Sequence, residues 1–148
     1  MKFIKSEHYL IDYRKKSKEH VGTFYATKEV DLAKSKIFLT SPVRAQPNAT
    51  IELEGKDLLE FKTYIEGNET PITSGRFLNQ DYEEMIFSAD LPEKGIYIDG
   101  VLSKVSDQLF VSTKTVRNKS TGEIAAVVQE ILNIISKEDF EKSILVPN

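Results

Sequence analysis

The chain has 148 residues, of which 40% are hydrophobic and 29% are charged, as is typical of one globular domain with its own core. Cysteine is absent, which excludes disulfides and thiolate metal ligands. The net charge of −3 argues against a nucleic-acid-binding protein. We expect a single domain over residues 1–148 with no secretory signal, and no apolar run approaches the roughly 18 residues of a membrane-spanning helix.

Positive charge is concentrated near the N-terminus, where residues 1–36 contain 9 Lys and Arg against 5 Asp and Glu. Four of these cations lie at positions 14–18, directly after Tyr13, which is a possible strand position. Phosphate contact is one interpretation of such a run. Asp12 and Glu19 flank the run and no aromatic residue interrupts it, so we favour a solvated loop.

Short runs of β-forming residues follow one another from residue 21 to residue 116, and turn residues separate them. The clearest runs lie at 36–40, 50–54, 60–66, 85–89, 96–102 and 108–116. Short strands at regular spacing predict a mainly β protein, which is either an antiparallel β-sandwich or an open barrel over residues 1–119. Glu52 and Glu54 alternate with apolar residues, which indicates the solvent face of a strand.

The core is predicted from the apolar residues within these strands, because each strand needs one buried face. The predicted core residues are Phe24, Ile37, Leu39, Ile51, Leu53, Phe61, Ile86, Ile98, Leu109 and Val111.

The pattern changes at residue 120, where Ser120 and Glu123 have the spacing of a capping box. Six apolar residues then fall at helical spacing: Ile124, Val127, Val128, Ile131, Leu132 and Ile135. We therefore predict a C-terminal helical segment over residues 120–148. It contains an amphipathic helix at 123–135 and a second, shorter helix that residues 136–139 cap.

The apolar face of the longer predicted helix is broader than contact with one sheet requires. Its six residues are therefore a candidate assembly face, and a homo-oligomer is expected. An equally weighted alternative is that the tail containing Phe140, Ile144 and Leu145 folds back and covers this face within the monomer.

No motif of a known catalytic or metal site occurs in the sequence. His8 and His20 have no supporting motif, and we interpret them as two partly exposed histidines. Asp81, Glu83 and Glu84 lack the regular spacing of a calcium loop and are interpreted as a polar connection. We expect no catalytic, cofactor-binding or metal-binding residues.

The order of the elements resembles one family. Gly22-Thr23-Phe24-Tyr25 leads to Asp31-Leu32, to the strand at 36–40 and to Phe61-Lys62-Thr63-Tyr64, and Gln108-Leu109-Phe110-Val111-Ser112 runs into the 124–135 helix. This order is similar to the N-terminal module of the upper baseplate proteins of phages that infect Gram-positive bacteria, over about residues 20–135. In that family a β-sandwich docks on the tail baseplate, and a helix helps to build a trimeric stalk.

The resemblance implies a non-enzymatic structural or adaptor protein of a phage tail. Other tail and baseplate proteins would be its partners, with neither nucleic acid nor membrane among them. The protein would be made in the host cytoplasm and localise to the virion.

Two alternatives remain open. The first is a carbohydrate- or cell-surface-binding β-sandwich module, which would present an exposed aromatic patch. The second is a carboxylate-based hydrolase, which would need two acidic side chains within about 10 Å of each other. The acidic candidates are Asp81, Glu83, Glu84, Asp90 and Asp99.

Overall fold

The computed structural model describes residues 1–12, 14–43 and 46–145, so Tyr13, a predicted strand position, lies outside the described residues. Ten strands follow in chain order: β1 Lys2–Asp12, β2 Ser17–Asp31, β3 Lys36–Thr40, β4 Ala49–Glu54, β5 Glu60–Ile65, β6 Thr73–Phe77, β7 Met85–Leu91, β8 Ile96–Ser106, β9 Leu109–Asn118 and β10 Ile124–Ile135. A 3-10 turn at Pro92–Lys94 joins β7 to β8, and the helix α1 at Lys137–Leu145 follows β10.

The sheet closes on itself because β10 pairs with β1 as well as with β9. The register of the closing pair runs from Phe3 opposite Ile135 to Ile11 opposite Val127. Each strand is antiparallel to its neighbour in sequence, so the result is a closed up-and-down barrel of ten strands. The predicted mainly β class is confirmed, and the fold is a barrel as in the second alternative, although it is closed rather than open; the predicted sandwich is wrong.

The helix predicted at residues 123–135 is also wrong, because these residues form β10. The run is apolar at almost every position, so a helical period can be found in it without being informative. Half of its 12 residues are β-branched, which favours a strand over a helix. Ser120 and Glu123 do not cap a helix but belong to the β9–β10 turn, where the Gly122 amide donates to the Asn118 carbonyl at 2.8 Å.

The shorter helix predicted after residue 136 is confirmed as α1. Ser136 is its N-cap, since its Oγ accepts a hydrogen bond from the Asp139 amide at 3.0 Å. The buried Phe140 ring packs on the outside of the barrel, with ring centres 5.1 Å from Phe3 and 6.2 Å from Tyr25. The tail therefore folds back on the barrel within the monomer. No helix in the described ranges has the length and apolarity needed to cross a membrane.

The main core cluster lies within the half of the barrel that the short strands β3–β6 help to enclose. Its buried residues are Ile37, Ile51, Leu53, Phe61, Phe77 and Tyr82. Four of the ten predicted core residues belong to it, and Leu39 packs against it. Phe24 and Ile86 were predicted to be buried but are 40% and 48% exposed.

The two exposed residues have different explanations. β2 pairs with β3 only from Thr27 onward, so Phe24 lies where β2 has a strand neighbour on one side only. Ile86 lies on the outer face of β7, because its neighbours in sequence, Met85 and Phe87, are the ones that pack against the core.

The prediction that Leu109 and Val111 form the core face of β9 is wrong. Phe110 and Ser112 are buried, whereas Leu109 and Val111 are only partly buried. Alternation separates the two faces of a strand, but the neighbouring strands decide which face points inward. Here Leu132 lies opposite Phe110, and Leu102 lies opposite Ser112.

Phe77→Ala should lower the free energy of unfolding by about 3–5 kcal/mol. The ring is 0% exposed and packs between Phe61 and Tyr82, so its loss leaves a cavity. Ile86→Ala, on the outer face of the next strand, should cost about 1 kcal/mol or less. Urea denaturation measures both values, and equal losses would contradict this register of β6 and β7.

Candidate ligand-binding site

The barrel interior holds a cavity of about 100 Å³. Nine of the ten strands contribute to its wall, so it lies inside the barrel rather than on its surface. The apolar wall residues are Ile4, Leu39, Ile51, Phe77, Met85, Leu102, Phe110, Leu132 and Ile134. Lys2, Lys28 and Glu83 complete the lining at one end.

The register explains why these side chains converge. Directly opposite residues of antiparallel strands point to the same face of a sheet. Ile4 lies opposite Ile134, and Leu132 lies opposite Phe110. One inward-facing row therefore continues around the barrel from strand to strand.

The connection between β6 and β7, residues 78–84, lies at the end of the barrel beside the cavity and covers part of it. Tyr82 is buried, and its ring packs edge-to-face on Phe77 at 5.2 Å. The residue has a φ of 56°, in the left-handed region that non-glycine residues seldom adopt. With this backbone conformation, the Tyr82 ring lies buried over the core.

Lys28 is the buried cation of the cavity. It lies opposite Lys2 and Leu39, and its Nζ is 5.9 Å from the centre of the Phe77 ring. The ammonium donates a hydrogen bond to the Tyr82 carbonyl. Within residues 1–12, 14–43 and 46–145, no carboxylate oxygen lies within 4.0 Å of it.

The pKa of Lys28 is lowered to about 8, and burial is the main cause. The nearby positive charge of Lys2 lowers it further, while Glu83 and Asp81 act in the opposite direction. Lys28 is therefore protonated at neutral pH, and within the described ranges it does not form the ion pair that a buried charge usually has.

The carboxylates near this end are already engaged. Glu83 pairs with Lys104 at 3.3 Å and with Lys2 at 3.8 Å. Asp81 accepts a hydrogen bond from the Glu83 amide, and Glu84 accepts one from the Lys104 amide. These contacts agree with the interpretation of this acidic group as a polar connection.

The two remaining acidic candidates for a hydrolase each form an ion pair. Asp90 on β7 pairs with Lys119 at 2.8 Å, and Asp99 on β8 pairs with Arg117 at 3.5 Å.

A second group of charged residues lies on the long strands, away from the cavity. Glu130 is opposite His8 on one side and Ser112 on the other. Its Oε1 forms an ion pair with Lys114 Nζ and lies 3.8 Å from His8 Nδ1. This oxygen is buried and has no well-directed hydrogen bond among the described residues, so the ammonium of Lys114 compensates its charge.

Two aromatic rings flank this charged group. The Phe24 ring centre is 4.4 Å from that of His8, and Lys114 Nζ is 6.0 Å from the centre of Phe87. The Phe87 ring occupies the space that a side chain at Gly100 would need, because a Cβ there would lie 2.3 Å from its Cζ. Glycine at this position therefore allows the ring to lie beside Lys114.

The six residues of the candidate assembly face do not share one face. Alternate residues of a strand point to opposite sides. Leu132 lines the cavity, Val127 is 1% exposed and Ile124 is 47% exposed. Val128, Ile131 and Ile135 are partly buried. A role of these residues in assembly stays a prediction.

The two histidines lie on opposite faces of the β1–β2 hairpin. His8 faces the charged group, whereas His20 packs edge-to-face on Tyr9 at 5.2 Å. Sequence reasoning did not single out Lys28, Lys114 or Glu130. The available signal for Lys28 is that it alternates in phase with Phe24 and Ala26 along β2, so a charge falls on a partly apolar face.

Acidification should destabilise the protein through His8. Burial lowers the pKa of His8, Glu130 opposes this effect, and Lys114 and His20 add to it. The unfolded chain therefore takes up the proton first, near pH 6.5. The contribution of His8 to stability is present above that pH and is lost as the pH falls through the folded pKa.

His8→Gln should flatten the dependence of the unfolding free energy on pH from about 6.5 downward. Urea denaturation at a series of pH values measures it, and His20→Gln controls for the loss of a histidine on the outer face. A slope that His8→Gln leaves unchanged would contradict the assignment.

No protein-family model matches the sequence, and no curated protein matches it with significance. The likeness to phage upper baseplate proteins therefore depends on the order of elements in the sequence. One element of that order, the helix at 124–135, is β10 in the structure. What the chain does is inferred from its cavity and from the charged groups around it.

Proposed function

We propose that the protein binds a small ligand with an apolar body inside the barrel. The observation that supports this most directly is the cavity, whose wall is apolar side chains from nearly every strand. Closed up-and-down barrels are a common way to enclose a ligand, because every strand is hydrogen-bonded on both sides. The apolar wall of such a cavity can accept an apolar molecule.

The volume limits the size of the ligand. An apolar cavity of about 150 Å³ is large enough for benzene. The 100 Å³ available here therefore accommodates a body of about four heavy atoms. At a ceiling of about −1.5 kcal/mol per heavy atom, the apolar body alone contributes at most about −6 kcal/mol. The dissociation constant of a purely apolar ligand should accordingly be about 0.04 mM or weaker.

The end of the barrel next to residues 78–84 is the proposed entrance. Lys2 lines the cavity, and its side chain is also 45% exposed to solvent. A ligand that enters there passes Lys2 and Lys28 before it reaches the apolar wall.

Titration with 1-pentanol should produce saturable NMR shifts of the methyl groups that line the cavity. Leu132→Phe should weaken this binding strongly because the larger ring fills the space, at a stability cost of about 1–3 kcal/mol. Ile86→Phe introduces the same ring on the outer face and should leave binding unchanged. The absence of saturable shifts in the wild type would overturn the proposal, and full binding by Leu132→Phe would place the ligand elsewhere.

A structural or adaptor role in a phage tail baseplate is the second candidate function. The observation that favours it is a pair of aliphatic side chains, Ile86 and Val101, which lie opposite each other on the outside of β7 and β8. Both are more than two-fifths exposed, as expected for residues that a protein partner covers. The partners would be other baseplate proteins or a second copy of this chain.

Light scattering over a range of concentrations tests self-association. Under this second candidate the protein should form an oligomer, and Ile86→Lys should shift it towards the monomer without loss of fold. A wild type that remains monomeric at every concentration would contradict the predicted homo-oligomer.

A further inference from the structure

We infer that the ligand of the cavity is a short-chain carboxylic acid whose carboxylate pairs with the ammonium of Lys28. This inference depends on the proposed function and names its ligand class. Lys28 and the apolar wall belong to the same cavity, so a ligand that occupies the cavity contacts both.

The positive charge of Lys28 is only partly compensated within the described residues. A buried charge is costly unless an opposite charge or several hydrogen bonds compensate it. An ammonium has three donors, and the one protein acceptor that Lys28 bonds in the described part of the chain is the Tyr82 carbonyl. Two donors are therefore available for the two oxygens of a carboxylate.

The carboxylates of the protein that face Lys28 already have other partners. The charged groups that face Lys28 are Lys2 on β1 and Glu83 and Asp81 on the 78–84 connection. Glu83 is shared between Lys104 and Lys2, and Asp81 accepts the Glu83 amide. An anion from outside the chain can pair with Lys28 without breaking either arrangement.

The two lysines and the small volume of the cavity also disfavour other classes of ligand. A cationic ligand would meet both Lys28 and Lys2, and a neutral apolar ligand would leave the ammonium without its missing partner. The small volume favours a compact anionic group on a chain of about four carbons. Pentanoate has this shape, and 1-pentanol is its neutral counterpart of similar length.

Calorimetric titration of the wild type with pentanoate and with 1-pentanol tests the inference. Pentanoate should bind about tenfold more tightly or better, because a charge-assisted hydrogen bond contributes about that much. Lys28→Met should abolish this preference while leaving 1-pentanol binding within about threefold. Lys62→Met removes an exposed lysine of β5 that does not line the cavity and pairs with Glu54, and it should retain the preference.

A pH series on the wild type requires no mutation and is decisive if Lys28→Met does not fold. Pentanoate stays ionised from pH 7 to 10, while Lys28 loses its proton through its pKa of about 8. The preference for pentanoate over 1-pentanol should therefore decrease across this range.

The other possible results overturn either the carboxylate assignment alone or the proposed function as well. Equal affinity for the two ligands, a preference that does not depend on pH, or a preference that survives in Lys28→Met would each overturn the carboxylate assignment. In those cases binding of 1-pentanol would leave the proposed function standing. If neither molecule binds, the proposed function fails together with the inference.

Discussion

Main-chain hydrogen bonds between β1 and β10 convert ten successive strands into a barrel, and the interior exists only because of them. Without this pairing, both strands would be free edges with unpaired amides and carbonyls. The pairing also sets the two faces of β1. Ile4 points into the cavity, while Phe3 points outward and contacts Phe140 of α1. The cavity and the packing of the helix therefore follow from one register.

Unequal strand lengths divide the interior into two regions. β3–β6 have five or six residues, whereas β1, β2, β8, β9 and β10 have ten to fifteen. Where all strands are present, the interior is mainly apolar, with the core cluster that includes Phe77 and the cavity beside it. Where the long strands continue past β3, the interior carries Glu130, Lys114 and His8, and Phe24 is exposed to solvent.

Lys114 and Lys28 are both inward-facing lysines, yet their environments assign them different roles. Lys114 has Glu130 directly beside it, so the charge is compensated within the protein, and the pair links β9 to β10. Lys28 has a neutral carbonyl as its hydrogen-bond partner and an apolar cavity next to it. A compensated pair is sufficient as a structural contact, whereas a buried cation that forms no ion pair within the described residues and lies beside an apolar cavity has the character of a binding group.

The sequence by itself determined the features that depend on a few neighbouring residues. These are the β class, the short strands such as 36–40, and the helix that begins after Ser136. Only the tertiary structure decided that residues 124–135 form a strand, since a mostly apolar run fits either period and one of its two pairing partners, β1, lies more than 100 residues away. The inward face of β9 and the inward position of Lys28 on β2 were likewise decided by neighbouring strands, because alternation gives two faces and cannot specify which one meets the core.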